Sequence, residues 1–107
     1  MTEGRQFGVS TTEQAESIVL RVTGEVDLVT APVLQRSIDA AIASGRPSIV
    51  IDLSGTTFLD ARGVGALVAA RKQAGRNGSR LIIRRPPALV RRVLELADQV
   101  DRMEIED

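Results

Sequence analysis

The chain has 107 residues, 14 of them basic and 14 acidic, and its formal net charge at pH 7 is zero. Hydrophobic residues make up 43%, which is enough for the core of a single domain of this length. The sequence contains no His, Cys, Trp or Tyr and only two Phe, so it lacks the commonest general base, any thiolate and most nucleobase-stacking side chains.

The N-terminal segment predicts an antiparallel β-hairpin. Phe7 and Val9 alternate with polar neighbours, and Thr11–Ala15 resembles a polar turn. Apolar and polar residues then alternate over Ile18–Thr23, which predicts a second strand that Gly24 ends.

A helix and a buried strand follow the hairpin. Thr30 has the character of an N-cap, and Pro32 suits the first helical turn. The apolar side chains at helical spacing before the stop at Gly45 are Val33, Leu34, Ile38, Ala41 and Ile42. Ile49–Leu53 is almost continuously apolar, which predicts a central strand covered on both faces.

The middle of the chain predicts a loop and a second helix. We expect Ser54–Asp60 to form the loop, with Phe58 and Leu59 directed at the core and Asp60 as the N-cap. One stripe of this helix contains Val64, Leu67, Val68 and Arg71.

The C-terminal third predicts a turn at Gly75–Gly78, a strand at Leu81–Ile83 and a third helix that begins at Pro86-Pro87. The apolar face of that helix consists of Leu89, Val90, Val93, Leu94 and Ala97. A short strand from Met103 to Ile105 completes the order ββαβαβαβ. We therefore expect a single α/β domain over residues 1–107, with a mixed sheet of about four to five strands and three main helices.

Two glycines, Gly63 and Gly65, lie at the start of the second helix, where each costs about 1 kcal/mol relative to Ala. Close packing against the preceding loop would explain them. An alternative is that they keep the backbone accessible to a partner or a phosphate.

Charge is distributed unevenly along the chain. Nine basic residues and no acidic residue lie between Ala61 and Leu94. This segment either steers an acidic partner or forms the solvated surface of two helices and a loop.

The sequence contains few combinations of residues that could form a catalytic site. Asp52 and Asp60 flank one loop, but Asp52 follows a buried strand and Asp60 suits an N-cap. Ser54, Thr56 and Thr57 have no nearby base, and no phosphate-binding glycine motif is present. We expect a non-enzymatic protein without catalytic residues, metal or cofactor.

No apolar run approaches the roughly 20 residues of a membrane span, and Met1–Ser10 lacks the apolar stretch of a signal peptide. We therefore expect a cytoplasmic protein with no membrane insertion. The basic segment has neither aromatic side chains nor a helix-turn-helix pattern, which disfavours nucleic acid as the partner.

The segment Ile51–Leu67 resembles the signature of the STAS family, the bacterial anti-sigma factor antagonists. It has Asp-Leu-Ser at the end of a strand, Phe-Leu-Asp in a loop and Gly-Val-Gly opening a helix. Gly24–Asp27 and Thr30–Pro32 are similar to the acidic loop before the family's first helix, and Pro86–Leu96 is similar to its C-terminal part.

This resemblance implies a STAS-like fold and a protein that binds an anti-sigma factor, usually a serine kinase, and so releases a sigma factor. In the family the kinase phosphorylates a serine just before the first glycine, and a phosphatase reverses this. Here Ala61 and Arg62 occupy the two hydroxyl positions, so the phosphoacceptor position holds an Arg that cannot accept phosphate.

The resemblance assigns partner binding to Asp27, Asp60, Ala61, Arg62, Gly63 and Val64. Ser54, Thr56 and Thr57 are alternative phosphorylation sites. Arg62 suggests either an antagonist that is not switched off at this site or a different, acidic partner; the alternative without functional meaning is drift in a loop that still folds. A scaffold or transporter-associated STAS domain with a non-kinase partner is the alternative function, and the oligomeric state is not predicted.

Overall fold

The predicted order of elements is confirmed. A computed structural model of the chain describes residues 6–97, 99 and 102–107, so Met1–Arg5 and three residues after the third helix, which the predicted domain included, lie outside the described residues. The strands are β1 (Gly8–Glu13), β2 (Ser17–Val26), β3 (Ser48–Leu59), β4 (Arg80–Arg84) and β5 (Glu104–Glu106). The helices are α1 (Ala31–Ala43), α2 (Ala61–Arg76) and α3 (Ala88–Leu96).

The strands form one mixed five-stranded sheet in the order β1-β2-β3-β4-β5. β1 pairs antiparallel with β2, which confirms the predicted hairpin, and the remaining neighbours pair in parallel. Each parallel pair is joined by one helix, and the three crossovers step along the sheet in the same direction. Because such crossovers are almost always right-handed, all three helices are expected on the same face.

The core confirms that placement. One cross-strand row on the helical face contains Leu20, Ile51, Ile83 and Ile105. These side chains belong to the same hydrophobic cluster as Leu34 of α1, Leu67 of α2 and Val90 of α3. The row displaced by one residue faces the other side and holds Arg21, Asp52, Arg84 and Glu106. We call that side the open face.

β3 is longer than the sequence predicted, since the expected loop at Ser54–Asp60 is strand as far as Leu59. It stays paired with β2 across two register shifts, between Arg21 and Thr23 and between Gly24 and Glu25, where β3 carries one extra residue each time. For the same reason Gly24 does not end β2, which runs to Val26.

Smaller differences concern the turns. Thr11–Glu13 pairs with β2, so the hairpin turn is narrower than Thr11–Ala15. α2 continues through Gly75 and Arg76, and the turn begins at Asn77. The final strand is shifted by one residue, to Glu104–Glu106. Within the described residues, every helix is too short or too polar to cross a membrane.

Candidate functional site

The residues predicted to bind a partner come together where β2 and β3 end and α1 and α2 begin. The Asp60 amide donates to the Val26 carbonyl at 3.1 Å, which ties the two strand ends together. A shallow cavity of about 260 Å³ is bordered by Leu28 and Pro32 on one side and by Arg62 on the other. We call this surface, residues 27–33 and 58–62, the tip.

Asp27 organises the loop before α1. Its Oδ1 accepts hydrogen bonds from the backbone amides of Val29 at 3.0 Å and Thr30 at 3.1 Å. The hydrogen bond from the Thr30 amide is the main reason why the pKa of Asp27 lies below its ordinary value. Thr30 stands at the predicted N-cap position, but its hydroxyl donates to the Glu25 carbonyl at 2.8 Å and does not cap the helix.

Asp60 is the N-cap of α2, as predicted. Its Oδ1 accepts from the amides of Arg62 at 2.9 Å and Gly63 at 3.2 Å. Ala61 and Arg62 are exposed, Asp60 is half-buried, and Gly63 and Val64 are buried. The side chain of Arg62 is therefore accessible to a partner that approaches the tip.

Arg62 presents an unneutralised positive charge. Among the described residues its guanidinium has no ion-pair or hydrogen-bond partner, although it lies in the first turn of α2. The helix dipole disfavours a cation at that end by a few tenths of a kcal/mol. In the part of the chain that the structure describes, the neighbouring cap Asp60 is the acidic residue that eases this placement.

The tip also carries exposed apolar side chains that were not predicted from the sequence. The exposed fractions of Leu28 and Val29 are 59% and 78%, and those of Val33 and Phe58 are 39% and 41%. The prediction that Phe58 points at the core was wrong, whereas Leu59 is buried as predicted. Val33 lies in α1, as its helical spacing predicted, but its side chain is exposed. Leu28-Val29 could have been noticed, because these two apolar residues lie outside the apolar patterns of both the preceding strand and the following helix.

The three alternative phosphorylation sites differ in accessibility. Ser54 and Thr57 are exposed. Thr56 is 2% exposed, and its hydroxyl donates to the Val22 carbonyl at 3.0 Å. Ser54 and Thr57 are therefore more accessible to a kinase than Thr56.

Asp52 is buried in β3, where it accepts from the Ser54 amide and from the Arg85 guanidinium, each at 2.9 Å. The carboxylate of Asp60 caps α2. Asp52 and Asp60, the two residues considered as a catalytic pair, therefore both have hydrogen-bond partners within the fold. Among the described residues, no cluster of His, Cys, Asp or Glu could hold a metal ion.

Comparisons with known proteins agree with this architecture. The family model described as "Mlab, STAS domain" matches residues 9–103. The anti-sigma-F factor antagonist RsfB of Mycobacterium tuberculosis is 37% identical over 59 residues, covering 55% of this chain and 48% of RsfB. This alignment thus spans about half the length of RsfB.

Two further similarities cover most of the chain. The anti-sigma-B factor antagonist of Staphylococcus aureus is 25% identical over 101 residues, or 94% of both proteins. The crystal structure of an anti-sigma factor antagonist from Mycobacterium paratuberculosis superposes with a TM-score of 0.86 at 27% identity. That superposition covers 95% of this chain and 86% of the other.

Proposed function

The chain belongs to the STAS domain family, and from this we propose that it is an anti-sigma factor antagonist. It binds an anti-sigma factor through the tip and thereby releases a sigma factor for transcription. It acts by stoichiometric binding and not by catalysis, in the cytoplasm, as a single domain. The relatives named as antagonists of anti-sigma-F and anti-sigma-B factors support this assignment.

The observation that carries the proposal is the exposed Arg62, which shares the tip with exposed apolar side chains. Interfaces gain most of their affinity from a few anchors that a partner covers and desolvates, and Arg is a frequent anchor. Leu28 lines the same cavity as this cation, and Val29 and Phe58 add exposed apolar area at the tip. A partner surface that fits the tip therefore combines an acidic group with apolar neighbours. Asp27 and Asp60 give the tip its shape, while Gly63 and Val64 support it from beneath.

Arg62 also determines how the site is regulated. A phosphoserine at this position would add roughly two negative charges at the first turn of the helix. Arg62 has no hydroxyl, so we propose that the tip stays competent to bind when the partner is an ATP-loaded serine kinase. A phosphatase acting at this position is then unnecessary, and any remaining switch would act at Ser54 or Thr57.

The first experiment measures the affinity of the purified chain for the anti-sigma factors of its own organism. We expect the charge reversal Arg62→Glu to weaken binding at least tenfold, because it places like charge against an acidic group of the partner. A tenfold loss of affinity corresponds to roughly 1.4 kcal/mol of binding free energy. Arg36→Glu is the matched control, because Arg36 is an exposed cation of α1 with no ion pair among the described residues. Equal affinities of the two variants would remove Arg62 from the site.

A second experiment tests the regulation. With a kinase-type anti-sigma factor and ATP, we expect Arg62→Ser to acquire phosphate and lose binding, while the wild type does neither. Phosphate on Ser54 or Thr57 of the wild type, detected by mass spectrometry, would move the switch to those residues. If the wild type binds no anti-sigma factor at all, the antagonist function is wrong and the scaffold function becomes the better hypothesis.

A further inference from the structure

A groove leads from the tip along α1 and α2. The cavity at Arg62 is followed by a larger one of about 530 Å³ that reaches Lys72 and Arg76. Gln35 and Gly65 line both cavities, so the two lie next to each other along the same pair of helices. At a rise of 1.5 Å per residue, Arg62 and Arg76 lie about 21 Å apart along α2. The groove thus extends well beyond the predicted partner site.

The groove contains a glycine that packing within the chain does not require. A Cβ at Gly65 would meet nothing within 4 Å, although Gly lowers the stability of a helix relative to Ala. Ala69, one turn further along α2, is also exposed and lines the groove. With Val68 beside them, these residues form a shallow apolar floor on which another molecule could lie.

The groove is also positively charged. None of the four basic residues of α2 forms an ion pair with another described residue; they are Arg62, Arg71, Lys72 and Arg76. In contrast, the five basic residues that follow in β4, α3 and the turn between them all form ion pairs; they are Arg80, Arg84, Arg85, Arg91 and Arg92. Asp39 of α1 also lines the groove and keeps its negative charge, since its Oδ1 accepts only from the neutral Gln35 Nε2 at 3.2 Å. Three cations, Arg62, Lys72 and Arg76, outnumber this one carboxylate, so the groove is positively charged overall.

We propose that this groove is a second part of the partner-binding surface and holds an acidic amphipathic segment of the partner protein. The apolar side chains of this acidic segment lie on Gly65 and Ala69, and the carboxylates of the segment pair with Arg62, Lys72 and Arg76. The identity of that partner as an anti-sigma factor rests on the proposed function. The floor carries no aromatic side chain on which a base could stack, which favours a peptide over single-stranded nucleic acid.

Two pairs of variants test the groove against an anti-sigma factor that the wild type binds. Lys72→Gln/Arg76→Gln removes two groove cations, and Arg21→Gln/Arg36→Gln removes two unpaired cations elsewhere, so the net charge is matched. Gly65→Gln fills the floor, and Gly75→Gln makes the same change in the same helix, where a Cβ also meets nothing within 4 Å. By isothermal titration calorimetry we expect each groove variant to lose affinity about tenfold, with each control staying within about twofold. Groove variants that bind like their controls would overturn the proposal while the antagonist function stands.

If the wild type binds no anti-sigma factor, a peptide experiment tests the groove independently of the antagonist function. The probe is a peptide of about 14 residues with Leu at helical spacing and Glu elsewhere, long enough to span the groove. A Gln-for-Glu peptide and a single-stranded DNA are the comparison ligands, and the readout is the amide NMR shift of Gly65 and Ala69. Shifts with the Glu peptide alone support the groove although the antagonist function has failed. The groove proposal would be overturned if the shifts appeared with DNA instead, if they appeared on raising the protein concentration alone, or if none of the ligands caused any shift.

Discussion

The two glycines of α2 have the same sequence context but opposite surroundings. A Cβ at Gly63 would collide with Leu59 Cδ1 and lie 3.0 Å from Val26 Cγ1, and both of these neighbours are buried strand ends. A Cβ at Gly65 would meet open space. Close packing, one of the two predicted alternatives, therefore explains Gly63. It does not explain Gly65, for which the other alternative, a backbone kept accessible to a partner or a phosphate, remains.

This difference predicts opposite effects of the same substitution. We expect Gly63→Ala to lower the free energy of unfolding by about 1–3 kcal/mol, because the added methyl group overpacks a full site. Gly65→Ala should raise it by up to about 1 kcal/mol through helix propensity. Equilibrium urea denaturation of the two variants checks both effects. Destabilisation by Gly65→Ala would mean that the groove floor is already occupied within the chain.

At the tip, the sequence predicted local roles well and accessibility less well. Asp60 was identified as an N-cap because its side chain satisfies amides only two and three residues away. Burial depends on contacts distant in sequence, so the exposure of Phe58 could not be predicted in the same way. The exposed apolar side chains of the tip were missed for this reason.

At the scale of elements, the largest difference was the length of β3. Its second half, Ser54–Leu59, contains Gly and three hydroxyl residues, which are typical of a loop. It is nevertheless strand, because it pairs with β2 from Thr23 to Val26, about 30 residues earlier in the chain. Helices and hairpin were predicted because their patterns are local, whereas this pairing is not.

β3 is also joined to the segment before α3 through Asp52 and Arg85. Burial raises the pKa of Asp52, but the hydrogen bonds from Ser54 and the Arg85 guanidinium outweigh it, and the net pKa is below the ordinary value of 3.8. Arg85 reaches the carboxylate from a backbone with a φ of 50°, which is uncommon for a residue with a side chain. The ionised carboxylate is therefore the form that the fold favours.

We accordingly expect Asp52→Asn to lower stability near neutral pH by about 1–2 kcal/mol, through loss of the charge-assisted hydrogen bond. Since the folded-state pKa is lowered, the contribution of Asp52 is complete above its ordinary pKa and is lost as the pH falls through the folded-state value. The stability difference between wild type and variant should thus shrink below about pH 4. Urea denaturation at neutral and acidic pH measures it. A difference that grows on acidification would contradict the assigned ionisation.

At the scale of the whole molecule, the one-sided packing of the helices separates two kinds of charged surface. On the open face, Arg84 pairs with Glu106 at 2.6 Å and Arg80 pairs with Glu104, so cations there are largely neutralised by neighbouring strands. On the helical side, α2 carries four basic residues and no acidic one. The basic segment seen in the sequence therefore divides into a paired part and an unpaired part, which composition alone could not distinguish.

The unpaired part predicts how association depends on salt. Exposed charges act over about 10 Å at 0.1 M ionic strength and over shorter distances at higher salt, so the field of α2 should attract an acidic partner mainly at low salt. We expect the association rate constant with the partner to fall at least tenfold between about 0.03 and 0.5 M salt, with a smaller change in the dissociation rate. Stopped-flow measurements on the wild type and on Lys72→Gln/Arg76→Gln provide the test, because the variant should show a shallower salt dependence than Arg21→Gln/Arg36→Gln. Equal slopes for the two variants would mean that net charge, and not the unpaired cations of α2, attracts the partner.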